Sequence, residues 1–153
     1  MKVREATEQE YGKIYRQGYR EWAKGRSLQQ YITDNQKEET LGKRYVLVDG
    51  KEDIIASLML LEFKPRLFGI GSIVVEPEFR GIGAGAQLIK ESLKLHADAA
   101  FMLYSEIGAA YYERFGFRAL PESYQSSVQA ICMIRADKEL CLQILKEPVP
   151  PYF

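Results

Sequence analysis

Histidine, cysteine and surplus charge are all scarce in this sequence, and each scarcity closes off a class of chemistry. His96 is the only histidine among 153 residues. The two cysteines, Cys132 and Cys141, have no Cys or His beside them. Zinc-ligand spacing is therefore missing, no disulfide framework can be drawn, and no metal site is expected. Lys and Arg together number 21, as do Asp and Glu. A protein that neutralises nucleic-acid phosphates usually carries a basic excess, so no nucleic-acid partner is expected. The apolar runs Ile54–Leu61 and Ile70–Val75 are too short to span a bilayer. The opening MKVREATEQE has no apolar leader segment. These features lead to the expectation of a cytoplasmic protein with reduced thiols and no membrane partner.

What is present is an ordinary globular composition, 46% hydrophobic and 27% charged. That is enough for one core, and a single domain over 1–153 is expected, with 147–153 as a proline-rich tail. Met1–Ala6 reads as a strand. Thr7 and Glu10 form a capping-box signature, and Tyr11, Ile14, Tyr15, Gly18, Tyr19 and Trp22 then recur at helical spacing as far as about Lys24. Ser27 with Gln30 opens a second helix. Strands are predicted at Arg44–Asp49, Asp53–Phe63 and Leu67–Val75, the first two joined by the Asp49-Gly50 turn. Ala86, Ile89, Leu93 and Ala97 mark a helix face. Ala100–Tyr104 reads as a strand, Ile107–Arg114 as a short helix, and Arg118–Leu120 and Ser127–Ala136 as further strands. A last helix over Asp137–Lys146 stops at the prolines of EPVPPYF. This order implies a mixed α/β sheet with helices on both faces.

The chemistry gathers around FRGIGAGAQL, residues 79–88. A helix N-terminus presents unpaired amides and the positive end of the helix dipole to an anion. Glycines at 81, 83 and 85 let an oxyanion approach the backbone, and Arg80 adds a charge at the entrance. A triphosphate loop would need Gly-Lys-Ser/Thr, but Ala86-Gln87 follow Gly85. A dinucleotide loop is partly matched by Gly81, Gly83 and Ala86, with Glu106 downstream. Against it, Glu76–Arg80 separate the strand from the first glycine, and the unit starts at mid-chain. An oxidoreductase of that kind stays as a remote alternative.

The segment Ile73–Gly85 resembles the acyl-CoA-binding motif of the GNAT superfamily of N-acetyltransferases. Arg80, Gly83 and Gly85 fill its Arg/Gln-x-x-Gly-x-Gly/Ala pattern, and Val75 to Pro77 its Val-x-Pro lead-in. Downstream, AAYYERFGF at Ala109–Phe117 is similar to the family helix that ends in Tyr-Glu-x-x-Gly-Phe. The resemblance implies a mostly antiparallel sheet of six to seven strands. Its fourth and fifth strands would splay to admit acetyl-CoA, the co-substrate. It further implies that Ile73, Val74 and Val75 pair with the pantetheine arm. Arg80, Gly81, Ile82, Gly83, Ala84 and Gly85 would take the pyrophosphate. Tyr112 would be the general acid at the thiolate, since a phenol stays protonated near neutral pH.

Ser105 stands where many relatives have asparagine, and would contact a pantetheine amide. Gly108 replaces an alanine and falls inside the predicted short helix. Glu76 and Glu62 are the candidate bases. The implied reaction moves an acetyl group to a primary amine, of a small molecule or peptide, by direct attack in a ternary complex. An inactive acyl-CoA-binding sensor or scaffold is the alternative. The protein is expected to be a monomer or homodimer. Tyr15, Tyr19, Trp22 and Tyr31 could shape an acceptor pocket or form core. Lys13, Arg16, Arg20 and Lys24 make a basic strip beside them.

Overall fold

The computed structural model describes all of residues 1–153. Seven strands form one sheet in the order β1-β2-β3-β4-β5-β7-β6. They are β1 Lys2–Glu5, β2 Gly42–Val48, β3 Ile54–Lys64, β4 Leu67–Val75, β5 Ala100–Ser105, β6 Arg118–Ala119 and β7 Ile131–Arg135. The helices are α1 Tyr11–Trp22, α2 Leu28–Glu38, α3 Ala84–Lys94, α4 Ala110–Glu113 and α5 Lys138–Ile144. This is the mixed, mostly antiparallel α/β architecture expected from the sequence. The chain divides into two compact units, Met1–Leu61 with Ser72–Leu95, and Glu62–Gly71 with His96–Phe153.

In the first unit β2 pairs antiparallel with β1, Lys2 facing Val48, and with β3, Gly42 facing Leu61. Ala6, Ile14, Val46, Val48 and Ile54 pack together with Tyr11 against them. The capping box forms as predicted: Glu10 Oε1 accepts from the Thr7 amide at 2.9 Å. Glu10 also takes a two-pronged bond from Arg4, at 2.8 Å to each oxygen. That guanidinium is the main reason its carboxyl is held down at about 2. Ser27 caps α2 by accepting from the Gln30 amide at 3.1 Å. Gln30 does not return the bond, because its side chain donates to Asp34 at 2.7 Å.

Among the aromatic residues of α1 and α2, Tyr11 meets Tyr15 and Tyr19 meets Tyr31 edge-on, with Tyr19 and Trp22 half-buried. Tyr15 and Tyr31 are buried. The Tyr15 hydroxyl donates to Glu39 at 3.2 Å and the Tyr19 hydroxyl to the Arg26 carbonyl at 2.8 Å. A Cβ at Gly18 would collide with the Tyr31 hydroxyl, so glycine there lets the two helices close. Arg44, only 2% exposed, is the charge buried beneath them. It donates to Glu39 at 2.6 Å and to Asn35 at 3.1 Å, and its guanidinium lies 5.2 Å from the Tyr15 ring centre. A buried charge persists only with such partners, and removing one of them destabilises by roughly 3–5 kcal/mol.

In the second unit β4 runs parallel to β5 over three positions, Leu67–Gly69 against Ala100–Met102. β5 and β6 both pair antiparallel with β7. Leu67, Ala100, Met102, Leu120, Cys132, Ile134 and Leu140 form the core. His96 stacks on Phe68, ring centres 4.0 Å apart. Cys132 and Cys141 are free thiols.

Two predicted boundaries shift in this unit. The helix expected at Ile107–Arg114 shrinks to Ala110–Glu113, because Gly108 has φ +87° and cannot continue a right-handed helix. Gly108 therefore lies before the helix, where its left-handed backbone suits glycine. The strand expected from Ser127 begins only at Ile131. The Ser127 hydroxyl accepts from the amides of Gln129 and Ala130, at 3.1 and 3.2 Å, and holds a local turn in place of a ladder.

Candidate active site

The glycine loop lies wholly in the first unit. At Ser72 the β4 backbone leaves the strand conformation, with φ +52°, a left-handed geometry uncommon for a residue with a side chain. Beyond it the Ile73 carbonyl accepts from Trp22 Nε1 at 3.2 Å, and the Val75 carbonyl from Arg80 Nε at 3.2 Å. Val74 is buried, and Ile73 and Val75 are half-buried. A single 3-10 turn, Pro77–Phe79, leads to Gly81 and Gly83, with φ +78° and +87°. Gly83 is the N-cap of α3 and offers no side-chain bond, so no side chain satisfies the first amides of this 11-residue helix. Nothing lies within 4 Å of where a Cβ would stand at either glycine. Ile82 is exposed between them, while Ala84 is buried and Gly85 half-buried at the helix start.

Two acidic side chains set the charge near this loop. Arg80 is half-exposed and pairs with Glu21, so its guanidinium bridges that carboxylate and the Val75 carbonyl. Glu76 accepts from Arg20 at 2.8 Å and from the Gln17 amide group. The carboxylate of Glu76 is thus already ion-paired. Arg20 is consequently not part of a free basic strip.

The second unit holds Glu62, Ser105 and Tyr112. Glu62 is exposed on β3. Ser105 is buried at the end of β5. Its hydroxyl donates to the Gly108 carbonyl and accepts from the Ile107 amide at 3.3 Å, so both bonds fasten the turn into α4. Tyr112 is half-buried in α4. Its ring meets Tyr111 edge-on at 5.1 Å and Phe117 at 6.2 Å. Burial, with a smaller contribution from Tyr111, pushes its phenol up to about 12. Tyr111 itself packs on Phe115 at 5.4 Å and lies beneath the Arg114 guanidinium at 4.8 Å.

Residues 41–119 match the acetyltransferase (GNAT) domain family. The chain belongs to that family. Its GNAT fold recurs in solved structures of low sequence identity. An acetyltransferase of the GNAT family from Staphylococcus aureus is 13% identical, with a TM-score of 0.67, and the match covers 88% of this chain and 97% of that one. A histone acetyltransferase HPA2 and related acetyltransferase from Corynebacterium glutamicum is 15% identical, with a TM-score of 0.69 and coverage of 99% and 98%. A spermidine N-acetyltransferase chimera from Vibrio cholerae and hSSAT is 18% identical, with a TM-score of 0.67 and coverage of 92% and 97%. No curated protein matches the chain by sequence.

As a GNAT member the chain is an N-acetyltransferase, and acyl transfer is its reaction class. The family uses acetyl-CoA, and the loop has the chemistry its pyrophosphate needs. It supplies uncapped helix amides, two left-handed glycines whose missing Cβ leaves open space, and one arginine. No group of His, Cys, Asp and Glu side chains is arranged to hold a metal ion. No helix is long and apolar enough to cross a membrane.

Sequence reasoning missed the partners of these residues: Trp22 on Ile73, Glu21 on Arg80, and Gln17 with Arg20 on Glu76. All four donors or acceptors come from α1, and nothing in a helical pattern names its partner across a sheet. A weak signal was available in Gln17, a polar residue within the apolar face of α1, which is buried.

Proposed function

We propose that this protein transfers the acetyl group of acetyl-CoA to a primary amine of a small molecule or peptide, by direct attack in a ternary complex. The observation that carries this reading is Tyr112. Its phenol is half-buried, held protonated up to about 12, and has no hydrogen-bond partner within the protein. A free, protonated hydroxyl on the family's Tyr-Glu-x-x-Gly-Phe segment suits a proton donor.

When bound, acetyl-CoA supplies a thioester carbonyl activated toward amines. The remaining work falls to the chain. Amides of Gly81, Ile82, Gly83, Ala84 and Gly85, with Arg80, bind the pyrophosphate. Backbone groups of Ile73, Val74 and Val75 align the pantetheine arm, and an amide there polarises the carbonyl. Tyr112 Oη gives its proton to the departing sulfur. Ser105 acts on the pantetheine side by shaping the turn. Of the two candidate bases, Glu62 is the better acceptor for the amine's proton, because Glu76 is engaged by Arg20.

The test is thiol release from acetyl-CoA across a panel of primary amines, with wild type and Tyr112→Phe. The variant should lose about a hundredfold in kcat, at the lower end for a general acid, with KM for acetyl-CoA unchanged. Equal rates with every acceptor would remove Tyr112 from the reaction. Tight CoA binding with no acetylated product from any amine would favour the sensor.

A further inference from the structure

The segment EPVPPYF, residues 147–153, takes no part in the steps above, yet it is fastened along its length within the second unit. Glu147 pairs with Lys64. Val149 packs on the core around Leu67 and Met102. The Pro150 carbonyl accepts from the Tyr104 hydroxyl at 2.5 Å, and the Tyr152 hydroxyl donates to Glu106 at 2.6 Å. Phe153 lies 5.0 Å from the Phe63 ring and meets Tyr104 edge-on at 5.3 Å. The floor of that slot is Gly69, where a Cβ would stand 2.6 Å from both Phe153 and Phe63. Any side chain at 69 would displace one ring. Pro148, Pro150 and Pro151 restrict the segment before it docks, so less conformational freedom is lost.

The two hydroxyl contacts fall on Tyr104 and Glu106, the neighbours of Ser105. Ser105 in turn holds Gly108 and Ile107. Gly108 then delivers the chain to Ala109, whose carbonyl accepts from the amides of Tyr112 and Glu113, each at 3.1 Å. A helix as short as Ala110–Glu113 does not fix its own orientation. Its direction is set by its flanks. The far flank is secured by buried Phe115, whose carbonyl accepts from Arg135 at 2.9 Å, and by buried Phe117. The near flank is the Ser105–Gly108 turn, and the 147–153 segment bonds to Tyr104 and Glu106, the residues on either side of Ser105 where that turn begins.

We propose that Tyr152 and Phe153 are positioning residues for Tyr112: by fixing residues 104–106 they set the turn from which its hydroxyl is presented. This rests on Tyr112 being the proton donor. The experiment uses the full chain with Phe153→Ala, Tyr152→Phe, and deletion of 147–153, each alone and combined with Tyr112→Phe. It reads kcat, KM for acetyl-CoA, and the Tyr112 ring signals by NMR of tyrosine-labelled protein. Tyr152→Phe removes a single oxygen from an exposed side chain, so it remains informative where Phe153→Ala lowers folding yield.

Phe153→Ala and the deletion should lose about tenfold in kcat with KM within about twofold, the pattern of a displaced catalytic group. Tyr152→Phe should lose less. The free peptide EPVPPYF should restore the deletion variant. The Tyr112 signals should move, and none of the changes should lower kcat further once Tyr112 is Phe. Wild-type kcat in the folded deletion variant overturns the proposal, as does an undiminished further loss in the Tyr112→Phe background. If Tyr112→Phe alone keeps full kcat, the proton-donor role falls. In that case the ring signals decide the positioning claim separately: it survives if they move and fails if they do not.

Discussion

The chain makes two strand-to-helix turns that begin alike and end differently. The turn after β4 reaches α3 through Gly81 and Gly83, and the turn after β5 reaches α4 through Gly108; all three glycines are left-handed. In both, no side chain caps the helix and the glycines face open space, but in the first the helix runs for 11 residues. In the second, a buried serine hydroxyl ties the turn to itself and the helix is a single turn. Unsatisfied amides at the end of a long helix suit a ligand from outside, whereas a self-satisfied turn suits the presentation of one side chain. The first turn should therefore govern affinity, and the second should govern turnover.

The largest expected effect comes from Gly83→Glu. A carboxylate at the pyrophosphate cradle faces like charge, which costs several kcal/mol, so acetyl-CoA affinity by calorimetry should fall by about a hundredfold or more. Retained affinity would show that the phosphates lie elsewhere. Gly108→Ala makes the contrast. Forcing a left-handed backbone on alanine costs about 1–2 kcal/mol, so kcat should fall several-fold while the dissociation constant for acetyl-CoA stays put. If Gly108→Ala weakens binding as much as it slows turnover, the division between the two turns is wrong.

Ser105→Ala sharpens the second half of the comparison. Removing the hydroxyl leaves the Ile107 amide without its partner and should cost about 1 kcal/mol of stability. If Ser105 acts through the turn, kcat falls and KM for acetyl-CoA holds; a direct pantetheine contact would raise KM instead. Tyr112 adds a pH signature. Its folded-state pKa lies above the ordinary phenol value of 10, at about 12. The native state therefore keeps a proton that the unfolded chain releases. Its contribution is complete below pH 10 and is lost as the pH rises from 10 through about 12. Denaturant titrations should show Tyr112→Phe losing less stability than wild type over that window. Parallel curves would mean that the phenol is not desolvated.

Much of this was legible in the sequence because it is local. The Thr7–Glu10 box, the Gly81–Gly85 loop and Tyr-Glu-x-x-Gly-Phe each depend on residues a few positions apart, and neighbouring backbone decides their geometry. Gly108 was misplaced inside a helix because composition does not reveal the sign of φ. Ser127–Ala130 looked like strand until its serine competed for the backbone amides. The clamp at 147–153 was invisible for another reason: its partners Phe63, Gly69 and Tyr104 are more than forty residues away. Arg44 and Glu39 are close in sequence, but only the packing of α1 and α2 buries them as a pair.

The smallest effect tests how open the first turn really is. Its one basic side chain, Arg80, is tied to Glu21 on α1, and both are partly exposed. A solvent-exposed pair of this kind is worth about 0.2–1 kcal/mol. Binding a pyrophosphate would make Arg80 choose between that carboxylate and the phosphate oxygens, so Glu21 acts as a built-in competitor. Glu21→Gln should remove the competition and also a negative charge near the ligand, and raise acetyl-CoA affinity by about two- to fivefold. Added salt should shrink the difference, since it screens the exposed pair. A drop in affinity would mean that Glu21 holds Arg80 in its binding position, making the first turn as internally braced as the second.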